Sequence, residues 1–280
     1  MNTARTVRVS RRSVLLGGLG LGAGLVAGCQ QQAGPAGTPD ALQTRAPVSE
    51  APPVVTGRSL SAGRYREVDI VIIRPAGIPP EPIPVCLALH GGLGTAKGFL
   101  ELGLPDMLTQ LVKSGNQPFA IASVDGGRWV GDKDDDPQRM LNQDLPGWLD
   151  YHDLASTPFS VLGFGEGGSA ALVAARTPGY AAVAAISPTL FDTWGEAAGT
   201  KIYHDEAQWK EFDPLRHTVE LSNVPVGLWC GTEDRPFVDL TRRLADKTKA
   251  VTASFTPGGH DTEYFKRALP EALKFVGGYL

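Results

Sequence analysis

Short apolar runs bounded by glycines and separated by stretches of helical length constrain this chain more than any other feature. "VCLALHGG", "FAIASVDGG", "FSVLGFG", "AAVAAISP" and "VGLWCGTED" are continuously apolar rather than alternating, the mark of strands buried on both faces. Between them lie the helix candidates "AKGFLELGLPDMLTQLVKSG", "SAALVAARTP" and "FVDLTRRLADKTK", and the chain closes on "TEYFKRALPEALKFVGGYL". Two more strand-like stretches, "YREVDIVIIRP" and "VTASFTPGGH", flank the series. The alternation predicts an α/β fold with a mostly parallel central sheet and helices on both faces. With 280 residues, 42% of them hydrophobic, the chain can bury one large core.

Residues 1–28 stand apart from that core. Arg5, Arg8, Arg11 and Arg12 make a basic stretch without an acid, and an apolar, glycine-rich run from Ser13 to Gly28 leads to Cys29. This is the pattern of an export signal, its apolar core being shorter than the ~20 residues of a membrane span. "SRRSVLL" is similar to a twin-arginine export motif, with Val14 where Phe is commoner, and "VAGC" is similar to the lipobox before a lipid-modified cysteine. The expected product is an exported lipoprotein held at the cell membrane through Cys29. An uncleaved anchor helix is the competing reading, and both place the domain outside the cytoplasmic membrane. Residues 29–57, rich in Pro, Ala and Gly and without an apolar period, are expected to be a flexible tether, with the folded domain at 58–280.

Charge and cysteine usage narrow the function classes. A net charge of −4, with no basic cluster interleaved with aromatics, argues against nucleic acid as a partner. Cys86 and Cys230 each sit inside an apolar run and read as two core thiols, a disulfide being the alternative. His90, His152, His204, His217 and His260 pair with no other His, Cys or acid at a ligand spacing, so neither a metal nor another cofactor is expected. Oligomeric state leaves no signature in the sequence.

Parallel sheets place their sites at the carboxyl ends of strands, and three of those ends carry chemistry. "CLAL" is followed by His90, Gly91, Gly92, Leu93 and Gly94; "SVLGF" runs into a glycine turn; "VTASFTPGG" runs into His260. With "VDGG", "DDDPQRM" and "GGHDTEYFKR", these segments resemble the α/β-hydrolases, in particular a secreted esterase-like branch that includes esterase D-type enzymes and cell-envelope mycolyltransferases. The resemblance runs from about Arg58 to the C-terminus. It implies the α/β-hydrolase fold, an oxyanion-binding loop at Gly91, Gly92 and Leu93, and a catalytic base at His260. The orienting acid would be Asp234, with Glu233 and Asp239 as alternatives; a structural histidine is the other reading of His260. Asp125 in "VDGG" is either a further cleft carboxylate or a turn cap.

The nucleophile is where this chain departs from the family. Members commonly read Gly-Trp-Ser-Met-Gly-Gly-Tyr-Gly-Ala-Leu where this chain reads "GFGEGGSAAL", so Gly165 falls on the serine, Glu166 on the methionine, and Gly163 and Gly167 on the elbow glycines. A register with Glu166 as nucleophile would put bulky Phe164 into the tight turn. Ser169 lies about one helical turn further on, roughly 6 Å along the axis, and is expected to point into helix packing. Glycine relieves the strain, on the order of 1–3 kcal/mol, that a side chain bears in such an elbow. Glu166 gains from the helix N-terminus, yet its carboxylate, about 6 Å from a developing oxyanion at its own N–H, would repel that charge by about 3 kcal/mol at an effective dielectric of 20. Leu190 to Asn223, with Trp194, Tyr203, Trp209 and Phe212, is expected to form a short lid whose aromatics either line an apolar pocket or pack as core. Three function classes follow: a pseudo-esterase that binds an ester- or acyl-type small molecule without turnover, a hydrolase in which His260 or Glu166 activates water, and a structural envelope protein.

Overall fold

The computed structural model describes residues 51–92 and 94–280. The segment expected to be an export signal, Cys29, most of the expected tether and Leu93 lie outside the described residues. Strands β1 (Val54–Ser61), β2 (Arg66–Ile73), β3 (Val85–Leu89), β4 (Ala120–Val124), β5 (Ser160–Phe164), β6 (Ala182–Ile186), β7 (Val226–Gly231) and β8 (Thr252–Thr256) form an eight-stranded sheet of order β1-β2-β4-β3-β5-β6-β7-β8. It is parallel from β4 to β8, while β2 runs antiparallel to both β1 and β4.

Along the chain the helices are α1 (Gly98–Glu101), α2 (Leu104–Lys113), α3 (Pro137–Arg139), α4 (Leu145–Tyr151), α5 (Glu166–Ala174), α6 (Trp194–Thr200), α7 (Glu206–Phe212), α8 (Val238–Thr248) and α9 (Thr262–Gly277). The two faces of the sheet explain the unbroken apolar runs. On one face, Val85, Leu87 and Leu89 of β3 join Leu145 and Leu149 of α4, Ala171 and Leu172 of α5, and Leu244 of α8. On the other, Cys86 and Ala88 join Phe99 of α1, Leu108 of α2, and Leu269 and Leu273 of α9. Either orientation of a strand side chain is therefore buried, and no polar alternation is tolerated. Cys86 and Cys230 are free, buried thiols, as the core reading expects.

One expectation is corrected. β1 begins at Val54, ahead of the expected domain start at 58, because "VVTGRSLS" pairs residue by residue with β2 despite its polar content. An edge strand needs only one buried face, so it carries no continuous apolar run. The "DDDPQRM" segment is partly helix: Asp136 caps α3 by accepting from the Arg139 N–H at 3.0 Å. A π-helical stretch, Met140–Asp144, then carries the helix into α4.

Leu190 to Asn223 forms the excursion over the carboxyl edge, with α6, α7 and two short 3-10 turns. Its aromatics build a small core of their own. Phe191, Tyr203 and Trp209 are buried against Trp194, Phe212 and Phe237, and the Arg216 guanidinium lies 4.0 Å from the Trp209 ring centre. Asp213 at the end of α7 is only 2% exposed. Its Oδ1 accepts from the Leu215 N–H at 3.1 Å, and Arg216 approaches Oδ2 at 3.5 Å. Burial outweighs these partners and pushes its carboxyl up to about 6. An acid raised by folding destabilises the native state once ionised, so its penalty is absent below the unfolded value near 4 and complete above about 6. Stability should fall by about 3 kcal/mol across that window, and Asp213→Asn should remove the fall. Urea denaturation at both ends checks this; an equal gap between variant and parent at both would refute it.

Candidate functional site

The elbow between β5 and α5 is the centre of the site. Gly165 has φ 57° and ψ −128°, a left-handed backbone that glycine adopts without strain. Its N–H donates to the Ile186 carbonyl at 3.0 Å, and its own carbonyl accepts from Gly168, Ser169 and Thr189. A Cβ added at Gly165 would stand 3.3 Å from His260 Nε2 and 3.7 Å from the Gly91 Cα. The position thus points straight at the histidine. Ser169 does not: its hydroxyl donates to the Thr189 carbonyl at 2.6 Å, inside the packing.

His260 and Asp234 come from neighbouring strand ends. Asp234 follows β7 and is 1% exposed, and its Oδ2 lies 2.9 Å from His260 Nδ1. A donating Nδ1–H leaves Nε2 as the acceptor facing Gly165. The Cys230 thiol lies 3.6 Å from the same carboxylate oxygen, and the rings of Phe237 and Phe265 flank His260 with centres 5.1 and 5.2 Å away. The choice among the three acids is settled by position. Asp239 points outward to Arg242 at 3.0 Å, and Glu233 is exposed.

His90 holds the loop after β3. The Gly126 N–H donates to its Nε2 at 3.1 Å, so its Nδ1 carries the proton and donates to the Gly91 carbonyl at 2.8 Å. The Trp129 indole N–H donates to the His90 carbonyl at 2.8 Å. Burial lowers the His90 pKa, which keeps the ring neutral and this tautomer in place. Asp125 Oδ1 accepts from the Ala96 N–H at 2.7 Å. Asp125 therefore braces the far end of the same loop, and is neither a cleft carboxylate nor a cap of its own turn.

Glu166 occupies the space between loop and elbow. Its carboxylate lies so close to Gly92 that a Cβ there would overlap it. Oε1 accepts from Arg128 at 3.1 Å; Oε2 is buried without a hydrogen-bond partner. Desolvation raises the Glu166 pKa, against the opposing charges of Arg128 and His260. Beside it is a small cavity lined by Trp129, Gln138, Ser169, Tyr203 and Phe212 among others. Measured at the centre of a water molecule, its volume is about 20 Å³, room for one or two waters. The lid aromatics thus do both things expected of them: Trp209 is core, while Tyr203 and Phe212 also line this cavity. Sequence reading passed over Arg128 and Trp129, although both follow β4 in "VDGGRW" and the strand-end rule that found the other site residues also covers them.

Comparison with known proteins places this geometry. The chain aligns over 81% of its length with a ferulic acid esterase, covering 97% of that chain at 20% identity and a TM-score of 0.68. An S-formylglutathione hydrolase from Agrobacterium tumefaciens aligns over 81% of this chain and 95% of its own, at 17% identity and a TM-score of 0.65. Mycobacterium tuberculosis MPT51 (FbpC1) aligns over 82% and 99%, at 17% identity and a TM-score of 0.65. No curated protein sequence matches the chain. With the mixed eight-stranded sheet, these likenesses define an α/β-hydrolase fold. Within that class the chain belongs to the esterase family described as "Putative esterase", whose profile matches residues 65–276.

Proposed function

We propose that this chain is an exported, lipid-anchored member of the esterase family that has lost its nucleophile and binds a ligand in the cleft without turnover. The observation that carries the reading is the elbow at Gly165. Its backbone is that of a residue presenting a side chain to His260 Nε2, 3.3 Å from where a Cβ would stand, and the residue there has no side chain. The Asp234–His260 pair has a proton acceptor in place and no hydroxyl to activate. Glu166 adds a second obstacle, since a negative charge beside the expected oxyanion donor opposes acyl transfer. The signal in residues 1–28 and the "VAGC" segment at Cys29 support export and lipid attachment.

A second reading rests on the same open position. A water in place of the missing hydroxyl would lie within reach of His260 Nε2 and could be activated as a general-base substrate. One experiment separates the two. Wild-type protein incubated with p-nitrophenyl acetate and with a fluorophosphonate probe should hydrolyse the ester at the buffer rate and remain unlabelled. Hydrolysis above that rate, abolished in His260→Ala, would overturn the pseudo-esterase reading in favour of water activation.

A further inference from the structure

β1 is an edge of the sheet, and the ladder it forms with β2 fixes which of its backbone groups that edge presents. The Arg74 N–H donates to the Pro53 carbonyl at 2.8 Å, so the alternation of an antiparallel pair turns Val55, Gly57, Ser59 and Ser61 toward β2. On the other side of β2 the Asp125 N–H donates to the Asp69 carbonyl at 3.1 Å, which requires the same phase. Val54, Thr56, Arg58 and Leu60 therefore direct their N–H and C=O groups outward. No strand among the described residues receives them.

An open edge of this length is normally blunted by a bulge, a proline or an outward charge. This one carries none of the three. β1 pairs with β2 over eight residues without interruption and contains no proline. Its one charged residue, Arg58, folds back over β2 onto Glu67 at 3.0 Å and Asp69 at 3.4 Å. Leu60 is left 72% exposed.

The strand is complementary to itself. A two-fold axis at Gly57 sets two copies of β1 antiparallel, with Val54 opposite Leu60 of the second copy and Thr56 opposite its Arg58. Leu60 gains an apolar neighbour, and the neutralised Arg58 meets no second arginine. An axis at Arg58 would set two arginines face to face, and one at Thr56 would place Leu60 against Pro52, which has no N–H. The chain's own tether is a poorer occupant, because from Gln30 to Pro53 its prolines leave no proline-free run of eight residues.

We infer that β1 is a dimerisation edge, pairing antiparallel with β1 of a second copy about Gly57 so that the two sheets continue as one. The outward N–H groups of Val54, Thr56, Arg58 and Leu60 in each copy then meet the outward carbonyls of the other. The inference is independent of what the cleft binds.

Analytical ultracentrifugation and mild oxidation of the full-length chain test it, with Cys29→Ala in every sample. Cys86 and Cys230 are buried, so a new cross-link reports an introduced thiol. The parent should show a reversible monomer–dimer equilibrium. Gly57 lies opposite itself in a non-hydrogen-bonded pair, where Cα atoms stand about 4.5 Å apart, within disulfide reach. A Cβ there meets nothing closer than Ile70 at 3.7 Å, so Gly57→Cys should fold and cross-link into a covalent dimer. Ser59→Cys, which would face Val55, should cross-link at least about tenfold less. Thr56→Pro removes an outward N–H and leaves the β2 ladder intact, and Leu60→Lys charges an exposed position. Each should raise the dimer dissociation constant by about tenfold or more. A parent that stays monomeric up to about 100 μM would overturn the inference. So would a dimer that Gly57→Cys does not link, or one that survives both Thr56→Pro and Leu60→Lys undiminished.

Discussion

Gly165→Ser combined with Glu166→Met should turn an inert cleft into one that hydrolyses p-nitrophenyl acetate and labels with a fluorophosphonate. The introduced hydroxyl would branch from a Cβ 3.3 Å from His260 Nε2, an imidazole already held by Asp234 at 2.9 Å. Nucleophile, base and orienting acid would then stand in the relation that acyl transfer requires. Removing the carboxylate beside Gly92 relieves a repulsion of about 3 kcal/mol on the developing oxyanion, comparable to the 10²–10³ in rate, roughly, that one oxyanion donor is worth. Gly165→Ser alone should therefore be slower than the double variant by about that factor. The freed Arg128 is partly exposed, so water can take over its solvation. A serine at φ 57° should also lower stability by about 1–3 kcal/mol. If the folded double variant neither hydrolyses nor labels, the groups around Gly165 are not a hydrolase constellation lacking only its nucleophile, and the proposed function falls.

The parts of this molecule that were legible in the sequence are those where one physical demand dominates. Five parallel strands are buried on both faces, and continuous apolar runs betray them. The elbow announces itself because a strand-to-helix turn this tight requires Gly163 and Gly167 on either side of the residue at its tip. The first half of β1, residues 54–57, was read as tether because prolines precede it and Arg58 and Ser59 break its apolar run. The helix from 137 to 151 was hidden by the acidic run before it, by Pro146, and by a π-helical segment that alters the helical period. Among Glu233, Asp234 and Asp239 no local rule chooses, because only the path of β7 and α8 decides which carboxylate turns inward. The Arg128–Glu166 pair joins residues far apart in the chain and leaves no spacing to read.

Gly167→Ala should be among the most damaging single substitutions available to this chain, although it adds only one methyl group. A Cβ at Gly167 would overlap the backbone carbonyls of both Leu89 and His90 at the end of β3. Neither carbonyl can give way: Leu89 belongs to a central strand, and the His90 carbonyl accepts from the Trp129 indole. Gly163→Ala meets the same wall from the other side, against the carbonyl of Gly167 itself. The start of α5 is thus pressed onto the sheet more closely than any side chain allows, and that approach is what aims Gly165 at His260. Overpacking against backbone rather than against flexible side chains belongs to the exceptional class of destabilisation, about 4 kcal/mol or more out of the ~5–15 kcal/mol that holds a typical domain together. Gly147→Ala supplies the contrast. It lies on the exposed side of α4 with nothing within 4 Å of an added Cβ, and it should gain roughly 0.5–1 kcal/mol from helix propensity. Urea denaturation of the three variants beside the parent measures all of this. A Gly167→Ala protein as stable as its parent would mean that the helix does not press on β3 in this way, and the aim of the elbow at His260 would lose its structural basis.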